Sequence, residues 1–238
     1  MSDRPLIATF LVTAAASCLF VLFPCIDLVV SSTFFVPGEG FAASHETFFR
    51  DLRSIGLLSI NISIIVVVAL TLLRCLLPKR YLPDVLAGIR PRVLVFLVAV
   101  LVIGPGIVAN VLLKDHWGRA RPTDILLFGG THDFSPAWVI SQACVKNCSF
   151  ISGEGSGSFW FVALAFVVPV ALRPAIAVYA VGWAMLVSLN RIAFGGHFLS
   201  DVLIGWGLML IVMLILRDIL LIRYGDRIDA AIARLTGR

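Results

Sequence analysis

The chain has 238 residues, of which 60% are hydrophobic and 14% charged, and it carries a net charge of +5. Soluble domains average about 25% charged residues, so composition excludes an ordinary water-soluble fold and makes lipid the required solvent. The positive balance reads mainly as a topology signal and fits nucleic-acid binding poorly.

Because roughly 20 apolar residues cross a bilayer core, the runs near residues 6–30, 54–77, 93–113, 156–172, 174–190 and 199–222 predict an all-α, polytopic bundle of six transmembrane helices. With no repeat and no long hydrophilic stretch, residues 1–238 are expected to form a single domain. The first run has features of a cleaved signal, since Arg4 precedes it and small residues Ala14 to Ser17 sit before Cys18. It continues to Val30, longer than a signal core, which favours an uncleaved helix entered from the cytoplasm. Basic residues are normally in excess on the cytoplasmic side. In this arrangement Arg4, Arg74, Arg90, Arg92, Arg173, Arg217, Arg234 and Arg238 fall there, with both termini. Arg50, Arg53, Lys114, Arg119, Arg121, Lys146 and Arg191 fall on the opposite, periplasmic side, where each needs a reason to be.

Between the first two spans, Phe41, His45, Phe48, Phe49 and Leu52 follow helical spacing and predict a short interfacial helix with an apolar stripe. Such a stripe would admit a lipid or simply anchor the chain. The longest loop, 114–155, holds Cys144 and Cys148, which would pair locally in an oxidising periplasm, although their spacing alone does not fix the geometry. Cys18, Cys25 and Cys75 lack metal-ligand spacing, and neither a metal nor another cofactor is expected.

Three polar clusters stand where predicted helices meet the outer surface. The third span ends in Lys114, followed by Arg121 and Pro122; the fourth opens with Ser152, Gly153, Glu154, Gly155 and Ser156; Arg191, His197 and Asp201 lie between the fifth and sixth. Any one of these would serve as a loop anchoring helix ends. Together, on one face of an apolar protein, they point to function. His197 and Asp201, four apart, share a helix face, where the carboxylate would accept the Nδ1 proton and leave Nε2 as nucleophile. Arg191, Arg121 and Lys114 would bind phosphoryl oxygens, and the backbone of the small-residue stretch would receive an anion.

These residues resemble the type 2 phosphatidic acid phosphatase superfamily of integral membrane lipid phosphatases. Its pattern is Lys, six residues, Arg-Pro; then Ser-Gly-His; then Ser-Arg, five residues, His, three residues, Asp. Lys114 to Pro122 matches the first element, and Arg191, His197 and Asp201 match the third. The resemblance implies a metal-independent phosphatase acting on a membrane lipid through a phosphohistidine at His197. Asp201 would orient the ring, and Lys114, Arg121, Ser152, Gly153 and Arg191 would bind phosphate. Two departures matter. Asn190 stands where the family has Ser, and Glu154 where it has a second His that protonates the leaving oxygen. A glutamate is ionised at neutral pH unless burial keeps it protonated, which neighbouring Arg residues oppose. Glu154 is therefore open to three roles: acid, base toward water, or structural residue beside a better leaving group such as a sugar-1-phosphate or pyrophosphate. His116 and His132 are alternative proton donors. The six-span form with an outward site is most similar to bacterial lipid A phosphatases of the inner membrane. Prenyl pyrophosphate and phosphatidylglycerophosphate phosphatases, a lipid phosphotransferase and a non-catalytic lipid phosphate-binding or transport protein are the alternatives. The oligomeric state is not legible.

Overall fold

The computed structural model describes residues 3–236; Met1, Ser2, Gly237 and Arg238, hence the ends of the expected domain and one of its cytoplasmic cations, lie outside the described residues. Helix α1 (Arg4–Leu22) starts the chain. The predicted first run is broken after it, because Pro24 disfavours helical backbone at Phe23, which takes φ −125° and ψ 63°. A separate short helix, α2 (Cys25–Ser32), follows and turns Asp27 and Ser31 into the interior.

The predicted interfacial helix does not form. Its first residues instead make a two-stranded ribbon, β1 (Phe35–Val36) antiparallel to β2 (Gly40–Phe41), and a turn over Ala42–Ser44. Phe41 is buried against Phe35 and Phe128, with ring centroids 5.6 and 5.4 Å away, whereas Phe48 is exposed in the first turn of the next helix. Tertiary burial of one aromatic has overridden the helical spacing. The second span, α3 (Thr47–Leu76), is accordingly longer than the apolar run that predicts it.

After a small helix, α4 (Asp84–Gly88), comes α5 (Pro91–Leu101), which continues with π-helical winding through Val102–Lys114. Pro105 within this segment has no N–H to give, and its own carbonyl accepts the Asn110 side-chain amide at 2.7 Å. The fourth expected span is shorter and tighter than its apolar run: α6 (Gly153–Phe159) winds down to a 3-10 helix over Trp160–Phe166, and a single turn at Val170–Leu172 follows Pro169. Helix α7 (Arg173–Ala193) begins with Pro174 in its first turn. Helix α8 (Leu199–Leu216) extends to Arg223 with π winding, and the amphipathic α9 (Gly225–Leu235) follows.

Five of these helical stretches, 4–22, 47–76, 91–114, 170–193 and 199–223, are long and apolar enough to cross a membrane, against the six spans expected, so the chain is a predominantly helical, multi-pass membrane protein. Its centre is formed by α5, α6 and α8, with Phe96, Val100, Trp160, Ile204 and Met213 buried together. The indole N–H of Trp160 donates to the Leu97 carbonyl at 3.1 Å, which meets its need for a partner in an apolar core. Asp3 and Leu6 share a recess with Leu214 and Arg217, so the start of α1 and the end of α8 lie at the same end of the bundle. The polar clusters collect at the other end, where α5 and α7 finish and α6 and α8 begin.

Helix α1 packs on α8 where Gly207 meets Thr13: a Cβ at Gly207 would lie 2.3 Å from the threonine hydroxyl. Close approach at small residues is how helices associate without a hydrophobic drive between them. Gly207→Leu is expected to force α1 outward and cost about 1–3 kcal/mol, read as a lowered unfolding temperature of the detergent-solubilised protein.

Candidate active site

His197 is placed by the turn between α7 and α8. The end of α7 is closed by two backbone bonds, Gly195 N–H to the Ile192 carbonyl (2.8 Å) and Gly196 N–H to that of Arg191 (3.0 Å). Gly195 has φ +64° and lies against the Phe41 ring, so neither another backbone conformation nor a Cβ fits there. At Gly196 a Cβ would meet the Arg191 guanidinium, which packs flat on this turn just before His197.

The imidazole is buried, and its Nδ1 stands 2.8 Å from the Ser149 carbonyl oxygen. A carbonyl only accepts, so Nδ1 carries the proton and Nε2 holds the free lone pair. Among the described residues no hydrogen bond to Nε2 is present. This corrects the expected direct contact: Asp201 Oδ2 is 3.7 Å from Nδ1, too far for a hydrogen bond. The carboxylate acts one step back, accepting the Ser149 hydroxyl at 2.5 Å and the Phe198 N–H at 2.9 Å, and so holds the loop and the turn on either side of the ring. Burial pushes the His197 pKa down to about 4, with Arg191 and Lys114 adding to the effect and Asp201 opposing it. The ring is neutral at physiological pH.

Behind Asp201 lies a buried network. Arg119 is fully enclosed; Nη1 donates to Asp201 Oδ1 (2.5 Å) and the Ser200 hydroxyl (2.8 Å), Nη2 to Asp27 Oδ2 (2.8 Å), and Nε to the Ser135 carbonyl (2.8 Å). Its guanidinium also faces the Phe198 ring, 4.3 Å from the centroid. Asp27 accepts the Ser200 N–H (2.8 Å) and hydroxyl (2.6 Å) as well. Sequence reasoning assigned Arg119 only to the outer face and missed Asp27, Ser149 and Ser200. Asp27 did leave a trace, as the one carboxylate in the first apolar run.

The cations foreseen as phosphate ligands gather in front of the ring. Lys114 and Arg191 are close enough to bear on the charge of His197, and Lys114 in turn feels Arg121, Arg191 and Glu154. Gly153 has to lack a side chain here, because a Cβ would lie 3.3 Å from Lys114 Nζ and 2.8 Å from Asn110 Oδ1. Arg121 Nη2 also donates to the Asn147 carbonyl (2.7 Å), in the loop that the Cys144–Cys148 disulfide closes. Ser152 is buried; its hydroxyl oxygen accepts the Gly155 N–H at 3.1 Å, so this side chain caps α6 and does not face the cradle. Asn190 donates to the Phe49 carbonyl at 3.0 Å, joining α7 to the start of α3.

Glu154 Oε1 lies between two guanidiniums, accepting from Arg53 Nη2 at 3.1 Å and standing 3.2 Å from Arg191 Nε. His116 is exposed and bonded to the Val111 carbonyl, and His132 is exposed on the long loop, so neither joins the buried site. From the cradle an apolar groove of about 690 Å³ runs down between α3 and α5, bordered by Lys114, Gly153 and Glu154 at one end and by Ile64, Val68 and Val98 farther along.

Comparison with known proteins agrees with this arrangement. The pattern of the PAP2 superfamily matches residues 92–223. A lipid A 4'-phosphatase of Francisella tularensis subsp. novicida is 36% identical over 187 residues, 77% of this chain and 81% of that protein. The chain therefore belongs to the PAP2 superfamily. A lipid A 4'-phosphatase of Rhizobium leguminosarum is 44% identical over 106 residues, and one of Rhizobium etli 43% over 106 residues. The match spans 46% and 41% of the length of these two rhizobial relatives. Among solved structures, a transmembrane PAP2-type phosphatidylglycerolphosphate phosphatase from Bacillus subtilis superposes with a TM-score of 0.53 at 18% identity, over 90% of this chain and 94% of that one, which shows a shared fold.

Arg119→Met would leave the Asp27 and Asp201 carboxylates buried without their common partner, at a cost of about 3–5 kcal/mol. Thermal unfolding in detergent is expected to show this loss, whereas Arg121→Met, at a partly exposed position, is expected to leave the unfolding temperature nearly unchanged.

Proposed function

We propose that the protein is an integral membrane lipid phosphatase that works through a phosphohistidine at His197, with lipid A as its substrate. The observation that carries this reading is the tautomer: the Ser149 carbonyl fixes the proton on Nδ1 and leaves Nε2 without a hydrogen bond among the described residues, with Lys114 and Arg191 close enough to act on the ring and Arg121 close to Lys114. In the first step Nε2 forms a bond to phosphorus as the bond from phosphorus to the lipid oxygen breaks, and that oxygen takes a proton from solvent water, which the water attacking in the second step gives back. Water then attacks phosphorus, the P–N bond breaks, and inorganic phosphate departs. The three cations, with the backbone at Gly153, stabilise the spread negative charge of the transferring group. Asp201 positions the nucleophile through Ser149 and Phe198.

Glu154 is held between Arg53 and Arg191 through one oxygen, Oε1. That position supports a structural role, aiming Arg191, over service as the general acid. The names of the relatives refer to a 4' phosphate, which gives no support to the idea that Glu154 marks a pyrophosphate or sugar-1-phosphate substrate. The apolar groove suits an acyl chain of the substrate, held within the membrane while its phosphate meets His197. An outward, periplasmic site with both termini in the cytoplasm of a bacterial inner membrane fits the distribution of basic residues, and the disulfide beside the site fits an oxidising compartment.

The wild-type protein in detergent, with chelator present, is expected to release inorganic phosphate from lipid A, and His197→Ala to lower that rate by at least about 10³-fold. Retained turnover in His197→Ala would remove the phosphohistidine. Transfer to an acceptor lipid with no release to water would favour the phosphotransferase.

The state of the ring has its own test. An unfolded-chain histidine takes up its proton near about pH 6.5, while His197 in the folded protein does so only near about 4. Neutral imidazole, the reactive form, is lost as pH falls through the lower value, and the folded state loses stability as pH falls from the upper value toward the lower. Nitrogen NMR of histidine-labelled protein is expected to show a neutral, Nδ1-protonated His197 from about pH 8 down to about pH 5.5; a titration midpoint at the free value would contradict it.

A further inference from the structure

Lys114, Arg119, Arg121 and Arg191 have found work at the site, but Arg50 has not. It sits on the same end of the bundle, where the distribution of basic residues disfavours an idle cation. Arg50 and Arg53 are one turn apart on one face of α3, continued by Ser54 and Leu57. With Ser44 from the preceding turn and Phe194 from the end of α7, they line a cleft of about 450 Å³. Arg50 is exposed; its guanidinium donates to the Thr47 hydroxyl at 3.4 Å and has no carboxylate partner among the described residues. Arg53 faces both ways: it lines the cleft and donates to Glu154 Oε1, the oxygen that also stands against Arg191. Phe194, on the far wall, lies under the Arg191 guanidinium at 5.6 Å. The cleft and the phosphate cradle therefore share a wall. In that wall two guanidiniums, Arg53 and Arg191, share the Glu154 carboxylate, and Arg50 stands in the cleft with no carboxylate of its own among the described residues, so the cleft carries an excess of positive charge that suits a phosphate.

The geometry points to Arg50 and Arg53 as a second anion subsite, which binds another phosphate monoester on the same lipid headgroup while the first meets His197. This rests on the lipid phosphatase reading and deepens it: the substrate class becomes a lipid with two phosphates. Arg53 keeps its bond to Glu154 through one side of its guanidinium, and Arg50 supplies the free donors. Binding there contributes to affinity and to the choice of substrate, and no bond is made or broken in the cleft.

The test uses the full chain in detergent with two substrates: lipid A bearing both phosphates, and an analogue whose second phosphate is replaced by a hydroxyl. Wild type is expected to prefer the two-phosphate lipid by about tenfold in kcat/KM, chiefly through KM, and Arg50→Gln is expected to bring that preference close to one, with Arg50→Lys intermediate. Equal handling of both lipids by wild type, or a preference untouched by Arg50→Gln, would overturn the subsite. If wild type releases phosphate from neither lipid, the phosphatase reading fails by itself. Direct binding of the two lipids then decides the subsite: about tenfold tighter retention of the two-phosphate lipid, lost in Arg50→Gln, supports it, and equal retention ends it.

Discussion

A guanidinium with no access to water has to be surrounded by acceptors, and Arg119 is surrounded by Asp27, Asp201, Ser200 and the Ser135 carbonyl. In a medium of low polarity none of these charges is tolerable without the others. The short helix after Pro24, the long loop and the start of α8 can therefore be assembled in one arrangement only. That arrangement fixes Ser149, and Ser149 fixes the ring of His197. The His197 ring is held by a structure that begins at residue 27, well outside the region that matches the superfamily pattern.

In front of the ring the electrostatics are reversed. Lys114, Arg121 and Arg191 repel one another; Glu154 offsets them, Asp115 adds a smaller compensation at Lys114, and Arg53 contributes further positive charge. Such a collection is costly when empty, and on the reading proposed above the entry of a phosphate offsets that cost. Burial, helped by the positive cradle, keeps the imidazole neutral against the opposing pull of Asp201.

The groove between α3 and α5 opens along apolar helices and ends at Gly153 and Glu154; on the proposed reading an acyl chain in it stays in a lipid-like environment while its headgroup reaches the cations. The π-helical stretch from Val102 to Lys114 shapes that wall and carries Lys114 at its end.

The sequence alone determined that the protein lives in a membrane, where most of its spans run, and which spaced residues form the family motif, because lipid imposes apolar length on every span and phosphate chemistry imposes residue types at fixed intervals. It also placed His197, Asp201 and the three cations at one end of the bundle. Tertiary structure decided the rest. Local spacing suggested an amphipathic helix through Phe41 and a direct bond from His197 to Asp201, yet burial drew Phe41 into an aromatic cluster and the Ser149 carbonyl accepts the imidazole N–H instead. Asp27 meets Arg119 across 92 residues and Ser200 across 173. Nothing in the neighbourhood of either residue announces such pairings, because the need to neutralise buried charge is met by whichever partners the packed helices bring near.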